Sequence, residues 1–104
     1  MIKEITCLEL KETMSDYRLI DVRRSEEFVG ELKHIEGAQL ATLGPELEKI
    51  IQSHSPDSKP IVFICRSGQR SMNACLLAYE YGLENCYNLI GGMIKWNELA
   101  LPVV

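Results

Sequence analysis

The sequence predicts a single α/β domain: a mostly parallel central sheet of about five short strands, with helices on both faces. Three observations predict it. Short apolar runs alternate with amphipathic segments along the whole chain. One run, Pro60-Ile61-Val62-Phe63-Ile64-Cys65, is apolar at consecutive positions, as a strand covered on both faces is. Finally, 104 residues that are 46% hydrophobic and 25% charged make one ordinary globular domain over residues 1–104, with no room for a second. A chain of this size buries roughly 60–70% of the surface its unfolded form exposes, enough for one modest core.

The elements follow in order. Thr6-Cys7-Leu8-Glu9 reads as a capping box, Thr6 accepting from a first-turn amide and Glu9 reaching back. It opens a helix over about residues 7–14, with Leu8, Leu10 and Met14 as its apolar positions. Tyr17 to Val22 reads as a buried strand. Ser25-Glu26-Glu27-Phe28 reads as a capped helix start with acids in the first turn, where the dipole favours them, and Gly30 ends it. Ala38-Gln39-Leu40 is a candidate short strand. Gly44-Pro45 opens a helix, Pro fitting its first position, and Leu47, Ile50 and Ile51 form its apolar face. Residues 53–59 are a polar loop, after which comes the strand 60–65. Residues 66–70 form a tight polar loop. Ser71 to Tyr81 then reads as a helix with Met72, Cys75, Leu76 and Tyr79 on one stripe and Gly82 as its stop. Cys86 to Leu89 is a last short strand, and Gly91-Gly92 turns the chain into a final helix through Trp96.

Composition excludes several function classes. The net charge is −4, a poor basis for nucleic-acid binding, which draws on clustered Lys and Arg. No apolar run approaches the ~20 residues of a membrane helix, and no secretory signal opens the chain, so a cytoplasmic location is expected. Residues 1–52 carry the whole excess of acid, and residues 53–104 balance at zero. Within that neutral half Arg66 and Arg70 stand four residues apart, a local positive site on an acidic chain. The four cysteines, Cys7, Cys65, Cys75 and Cys86, form no C-x-x-C pair. That argues against a zinc knuckle, a thioredoxin-type dithiol or any metal site, and points to reduced thiols.

The chemistry concentrates in Cys65-Arg66-Ser67-Gly68-Gln69-Arg70-Ser71. A cysteine at the carboxyl end of a buried parallel strand lies where α/β sheets bind ligands. The loop amides and the following helix N-terminus converge into an anion site. The dipole and two guanidinium groups favour thiolate over thiol, and such settings lower a cysteine pKa from about 8.5 to roughly 3.5–7.5. Cys65 is the candidate nucleophile. Arg66, Ser67, Gly68, Gln69, Arg70 and Ser71 are the candidate substrate-binding residues. Phosphate-ester chemistry on cysteine needs C-x5-R. Here the arginine falls at C-x4-R, on Arg70, and Ser71 takes the longer position. The shorter ring suits a single sulfur carried on Cys65.

This loop resembles the active-site loop of rhodanese-type sulfurtransferases. Asp21-Val22-Arg23 with Glu27-Phe28 resembles the family's first signature, His34-Ile35-Glu36-Gly37-Ala38 its second, and Leu89-Ile90-Gly91-Gly92-Met93 with Trp96 its last. Order and spacing match from about residue 4 to 97, as in the stand-alone single-domain members. Lys33 replaces a Gly common before the His, and Thr42 stands where a Pro is common. The resemblance implies a rhodanese-like domain; no cofactor is expected, and a monomer or weak homodimer is the expected form, though the sequence does not fix it. Cys65 takes a sulfane sulfur from thiosulfate or another small anionic donor, becomes a persulfide and passes the sulfur to cyanide or to a thiol acceptor, which a sulfur-relay protein could present. Arg66 and Arg70 would hold the anion, and the amides of residues 66–71 would stabilise the terminal sulfur. Sulfite leaves as a stable anion, so no general acid is needed.

Plainer roles fit the other residues. Cys75, Cys7, Cys86 and Trp96 read as packing, His34 as a turn residue, His54 as a loop residue without a role. Asp21 and Arg23 read as structural support, Asp21 tying down a neighbouring loop and Arg23 pairing with Glu26 or Glu27. Two rivals remain open: a small phosphatase, disfavoured by the loop count, or arsenate reductase, which usually wants a further resolving cysteine close by; and a non-enzymatic persulfide carrier, which needs the same loop.

Overall fold

The computed structural model describes residues 2–104. Its five strands are β1 (Lys3–Ile5), β2 (Arg18–Asp21), β3 (Gln39–Leu40), β4 (Ile61–Ile64) and β5 (Cys86–Leu89). They form one sheet in the order β1-β5-β4-β2-β3, and every pairing is parallel. The helices are α1 (Cys7–Thr13), α2 (Ser25–Phe28), α3 (Pro45–Ser53), α4 (Gln69–Glu80) and α5 (Gly92–Glu98), with a 3-10 turn at Met14–Asp16.

All of β4 is buried, and its side chains alternate between two cores as strand geometry requires. Ile61 and Phe63 join Leu47, Ile51, Ala74, Cys75 and Ala78 on the face covered by α3 and α4. Val62 and Ile64 join Cys7, Leu10, Met93 and Trp96 on the face covered by α1 and α5. Each fully buried Ile, Leu, Val, Phe or Met among them is worth about 1.5–3 kcal/mol. The parallel sheet with helices on both faces is therefore observed as expected. The Thr6 box is present too: Glu9 N–H donates to Thr6 Oγ1 at 3.1 Å, and Thr6 N–H donates to Glu9 Oε1 at 2.9 Å.

Several local expectations change. β1 lies where no strand was expected; only Ile5 of its three residues is buried, so its pattern is silent, and pairing with β5 makes it a strand. Tyr17 and Val22 lie just outside β2. Arg24, not Ser25, is the N-cap of α2. α4 begins at Gln69, and its sheet-facing stripe is Ser71, Ala74, Cys75 and Ala78. Met72 and Leu76 point outward instead, 40% and 49% exposed, because small residues let the helix lie close to the sheet. Leu8 is likewise exposed, and Cys7 with Leu10 carries the buried face of α1. All four cysteines are buried free thiols. Trp96 is fully buried and its Nε1 donates to Pro102 O at 2.8 Å. His34 Nδ1 bonds Phe28 O at 2.8 Å and its ring stacks on Phe28, as a turn residue does. His54 Nδ1 lies 3.0 Å from an Arg18 Nη1.

Candidate active site

Cys65 follows β4, the central strand, so the loop after it is flanked by the ends of β2 and β5. The chain turns sharply there. Gly68 has φ +104° and caps α4, a backbone that side-chain-bearing residues rarely adopt. The turn brings Gly68 N–H to 3.0 Å from Cys65 Sγ and Ser71 Oγ to 3.2 Å. Burial pushes the Cys65 thiol up. The Ser71 hydroxyl and the amides of Ser71, Gly68 and Ser67 outweigh it and hold the pKa below its ordinary value. The sulfur thus sits in a ring of donors, as an anion does in a backbone nest.

The second glycine of Gly91-Gly92 closes the ring from below. With φ +54°, a Cβ at Gly92 would stand 2.4 Å from Cys65 O and 2.6 Å from Arg66 O. Lacking one, the N-terminus of α5 reaches the loop: Met93 N–H donates to Cys65 O at 2.9 Å, and Ile94 N–H to Arg66 O at 3.0 Å. The carbonyls of Cys65 and Arg66 therefore point at α5, and the amides of Ser67, Gly68 and Ser71 are left to face the sulfur.

The two arginines differ. Arg66 is exposed and carries no side-chain hydrogen bond or ion pair among the described residues. Arg70 is held by Glu27, its Nη1 and Nη2 donating to Oε1 and Oε2 at 2.7 and 2.8 Å. The Arg70 hydrogen bond pulls the Glu27 carboxyl down to about 2. Gln69 and Ser67 are exposed on the rim, while Ser71 is fully buried.

Asp21 and Arg23 are buried beside the loop and paired with each other. Arg23 Nε donates to Asp21 Oδ1 at 2.9 Å and its Nη2 to Oδ2 at 2.8 Å. This corrects the expected pairing of Arg23 with Glu26 or Glu27 side chains: Arg23 reaches only the Glu27 carbonyl, at 3.2 Å. Asp21 stands in register with Ile64, one residue before Cys65, and wins by proximity. Both family departures touch Arg23. Lys33 O accepts from its Nη2 at 2.7 Å, and Thr42 Oγ1 donates to its carbonyl at 2.8 Å.

Sequence reasoning missed three residues of this site. Glu27 reads in sequence as a first-turn acid; its capping-box position is visible there, but its partner 43 residues away is not. Gly92 reads as a turn rather than a contact point. Asn88, 2% exposed, had a readable signal, a polar residue inside a buried strand. Ser71 Oγ lies 2.5 Å from its Oδ1. Among the described residues no cluster of three or more His, Cys, Asp or Glu could hold a metal ion, and no helix is long and apolar enough to cross a membrane.

The chain matches the rhodanese-like domain family over residues 6–99. It is 37% identical to the Bacillus subtilis protein YtwF, covering 97% of this chain and 96% of that one. It is 30% identical to the thiosulfate sulfurtransferase GlpE of Haemophilus influenzae, covering 97% and 93%. Among solved structures, a rhodanese-related protein from Thermoplasma volcanium superposes with a TM-score of 0.84 at 29% identity, covering 98% and 97% of the two chains. Relatives that match end to end thus include a named sulfurtransferase, and they support a transferase of the sulfurtransferase type.

Proposed function

Since the chain belongs to the rhodanese-like domain family, we propose that it carries a sulfane sulfur from thiosulfate, or a similar small anion, to a thiol through a persulfide on Cys65. One observation carries this reading: the Cys65 sulfur at the end of β4 is ringed by Gly68 N–H, Ser71 Oγ and neighbouring amides that favour its thiolate.

The Cys65 thiolate attacks the outer sulfur of thiosulfate. The new S–S bond forms as the old one breaks, and its electron pair leaves with sulfite. The persulfide's terminal sulfur carries the negative charge, which loop amides stabilise as an oxyanion hole stabilises oxygen. An acceptor thiolate then attacks that sulfur, and the Cys65 thiolate leaves. No proton has to be delivered to either leaving group, which accords with a site whose nearby acid, Glu27, is held ionised by Arg70. Arg66, exposed on the rim and unpaired among the described residues, is placed to meet the incoming anion, while Arg70 stiffens the loop.

Intact mass after incubation with thiosulfate tests this. The protein should gain one sulfur atom, lose it on adding cyanide, and gain nothing as Cys65→Ser. The Cys75→Ser variant should behave as wild type. Turnover by Cys65→Ser overturns the reading.

A further inference from the structure

Ser71 makes two side-chain contacts with one proton. Its Oγ lies 3.2 Å from Cys65 Sγ and 2.5 Å from Asn88 Oδ1, and Cys65, Ser71 and Asn88 are all buried. A hydroxyl has a single O–H to donate. Facing the carbonyl oxygen of Asn88, Ser71 must donate to it. The contact with Cys65 is then closed by the thiol, S–H to Oγ. This arrangement describes the neutral thiol.

The thiolate requires a different one. A bare sulfur anion only accepts. Gly68 N–H already donates to it at 3.0 Å, and the hydroxyl beside it must turn its O–H from Asn88 to sulfur. The thiol proton leaves to water. With Asn88 fixed, Ser71 Oγ and Asn88 Oδ1 would then face each other as two acceptors, inside a site where an unmet acceptor is costly. Half a turn of the Asn88 amide removes the conflict, because Nδ2 takes the place of Oδ1 and donates to Oγ. The two ends of an amide are nearly the same size, so the turn needs no repacking. The other end of the amide has room to change partners: Asn88 also lines a pocket of about 310 Å³ with Ser67, Gly68, Gln69, Gly91 and, from β1, its exposed register partner Glu4, open to solvent.

We propose that Asn88 is a positioning residue that registers the ionisation of Cys65 through Ser71, its side-chain amide turning over as the thiol becomes the thiolate. The inference rests on Cys65 being the reacting thiol of the reading above, but on no property of the sulfur donor. Asn88 is the group suited to this task. From β2 and α2 the charged side chains near the sulfur arrive already paired, Asp21 with Arg23 and Glu27 with Arg70. α4 supplies Arg70 and, a turn beyond Ser71, the buried thiol of Cys75. Arg66 stays on the rim, α5 presents backbone amides, and its Lys95 is exposed. β5 offers Asn88, a neutral group that can change from acceptor to donor without moving charge.

The experiment follows the side-chain amide signals of Asn88 by NMR in the wild-type protein while pH is raised through the Cys65 titration, itself read from the Cys65 Cβ shift. The Asn88 signals should move with the same midpoint, and in Ser71→Ala that movement should be lost. A flat Asn88 trace overturns the proposal, and so does equal movement in Ser71→Ala, which would mean direct sensing of the sulfur's charge. A second measurement uses Asn88→Asp, whose carboxylate can only accept and so keeps the Ser71 proton away from sulfur. Iodoacetamide labelling of Cys65, read by peptide mass below the titration midpoint, should slow about tenfold, one pK unit. In a Ser71→Ala background the same substitution should do less than half as much; an equal effect in both backgrounds overturns the proposal. Both measurements read the thiol and not sulfur transfer, so they stand even if thiosulfate proves not to be the donor.

Discussion

Replacing Glu27 by Gln tests how firmly the loop is anchored. Glu27 grips Arg70 with both oxygens, at 2.7 and 2.8 Å, the strong fork geometry of a guanidinium–carboxylate pair. Gln keeps the side chain's shape and its Oε1, so the contact to the Arg24 amide at 3.1 Å can survive; what disappears is the charge and the second acceptor, since an amide NH2 would face Arg70 Nη2. The fall of the Glu27 carboxyl from 4.5 to about 2 sets a ceiling of about 3 kcal/mol on the pair. Glu27 is 18% and Arg70 35% exposed, so solvent screening should leave about 1–2 kcal/mol. A carboxyl with a depressed folded-state pKa gives stability that is complete above its unfolded value and drains away as pH falls through the folded one. The window therefore runs from about pH 4.5 down to about 2. Urea unfolding near neutral pH should show Glu27→Gln less stable by that amount, with the melting midpoint lower by roughly 4–8 °C per kcal/mol. The gap should narrow across the acid window, as wild type loses the pair and the variant has none to lose. Equal stabilities at neutral pH, or a gap indifferent to acid, would refute the reasoning.

Three further outcomes are expected. Arg66→Ala should raise KM for thiosulfate and flatten its salt dependence, since the removed charge is the one salt screens; Arg70→Ala should lower stability as well, because it strands Glu27, and unfolding midpoints separate the two. Gly92→Ala should cost about 1–3 kcal/mol and most of the turnover, as its Cβ meets Cys65 O and Arg66 O; a variant with normal melting and kinetics would show that the loop can yield. Lys33 holds φ +55°, a strained backbone for a side-chain-bearing residue, so Lys33→Gly should raise stability in thermal melts by up to about 1 kcal/mol, the relief of that strain exceeding the extra entropy of the unfolded glycine.

The parts of this molecule that can be read from sequence are those whose cause is local. β4 is legible because both its faces are buried and every residue says so. The loop after β4 is legible because its cysteine, glycine and arginines are contiguous. β1 is not, since Lys3-Glu4-Ile5 buries one side chain and owes its extended form to β5. The stripe of α4 misleads for a related reason: Met72 and Leu76 are better hydrophobes than Ala74 and Ala78, yet closeness to the sheet selects for size. Pattern reading weighs hydrophobicity and cannot see the gap to be filled.

The same limit explains which half of the site stayed hidden. The strand order β5-β4-β2 puts Cys65 on the middle strand, so its environment is completed from both neighbours. From the β2 side come the Asp21–Arg23 pair and, on the short helix α2, Glu27. From the β5 side come Asn88 and, after the turn, Gly92. None lies within the loop, and each acts by a different means: a buried ion pair, an anchor on Arg70, an exchangeable amide, a missing Cβ. The loop alone would supply a cysteine and some amides. What would make it an anion site is that the Cys65 and Arg66 carbonyls are taken by α5 and Arg70 by Glu27, leaving N–H groups and the Arg66 guanidinium, unpaired among the described residues, to face whatever approaches the sulfur.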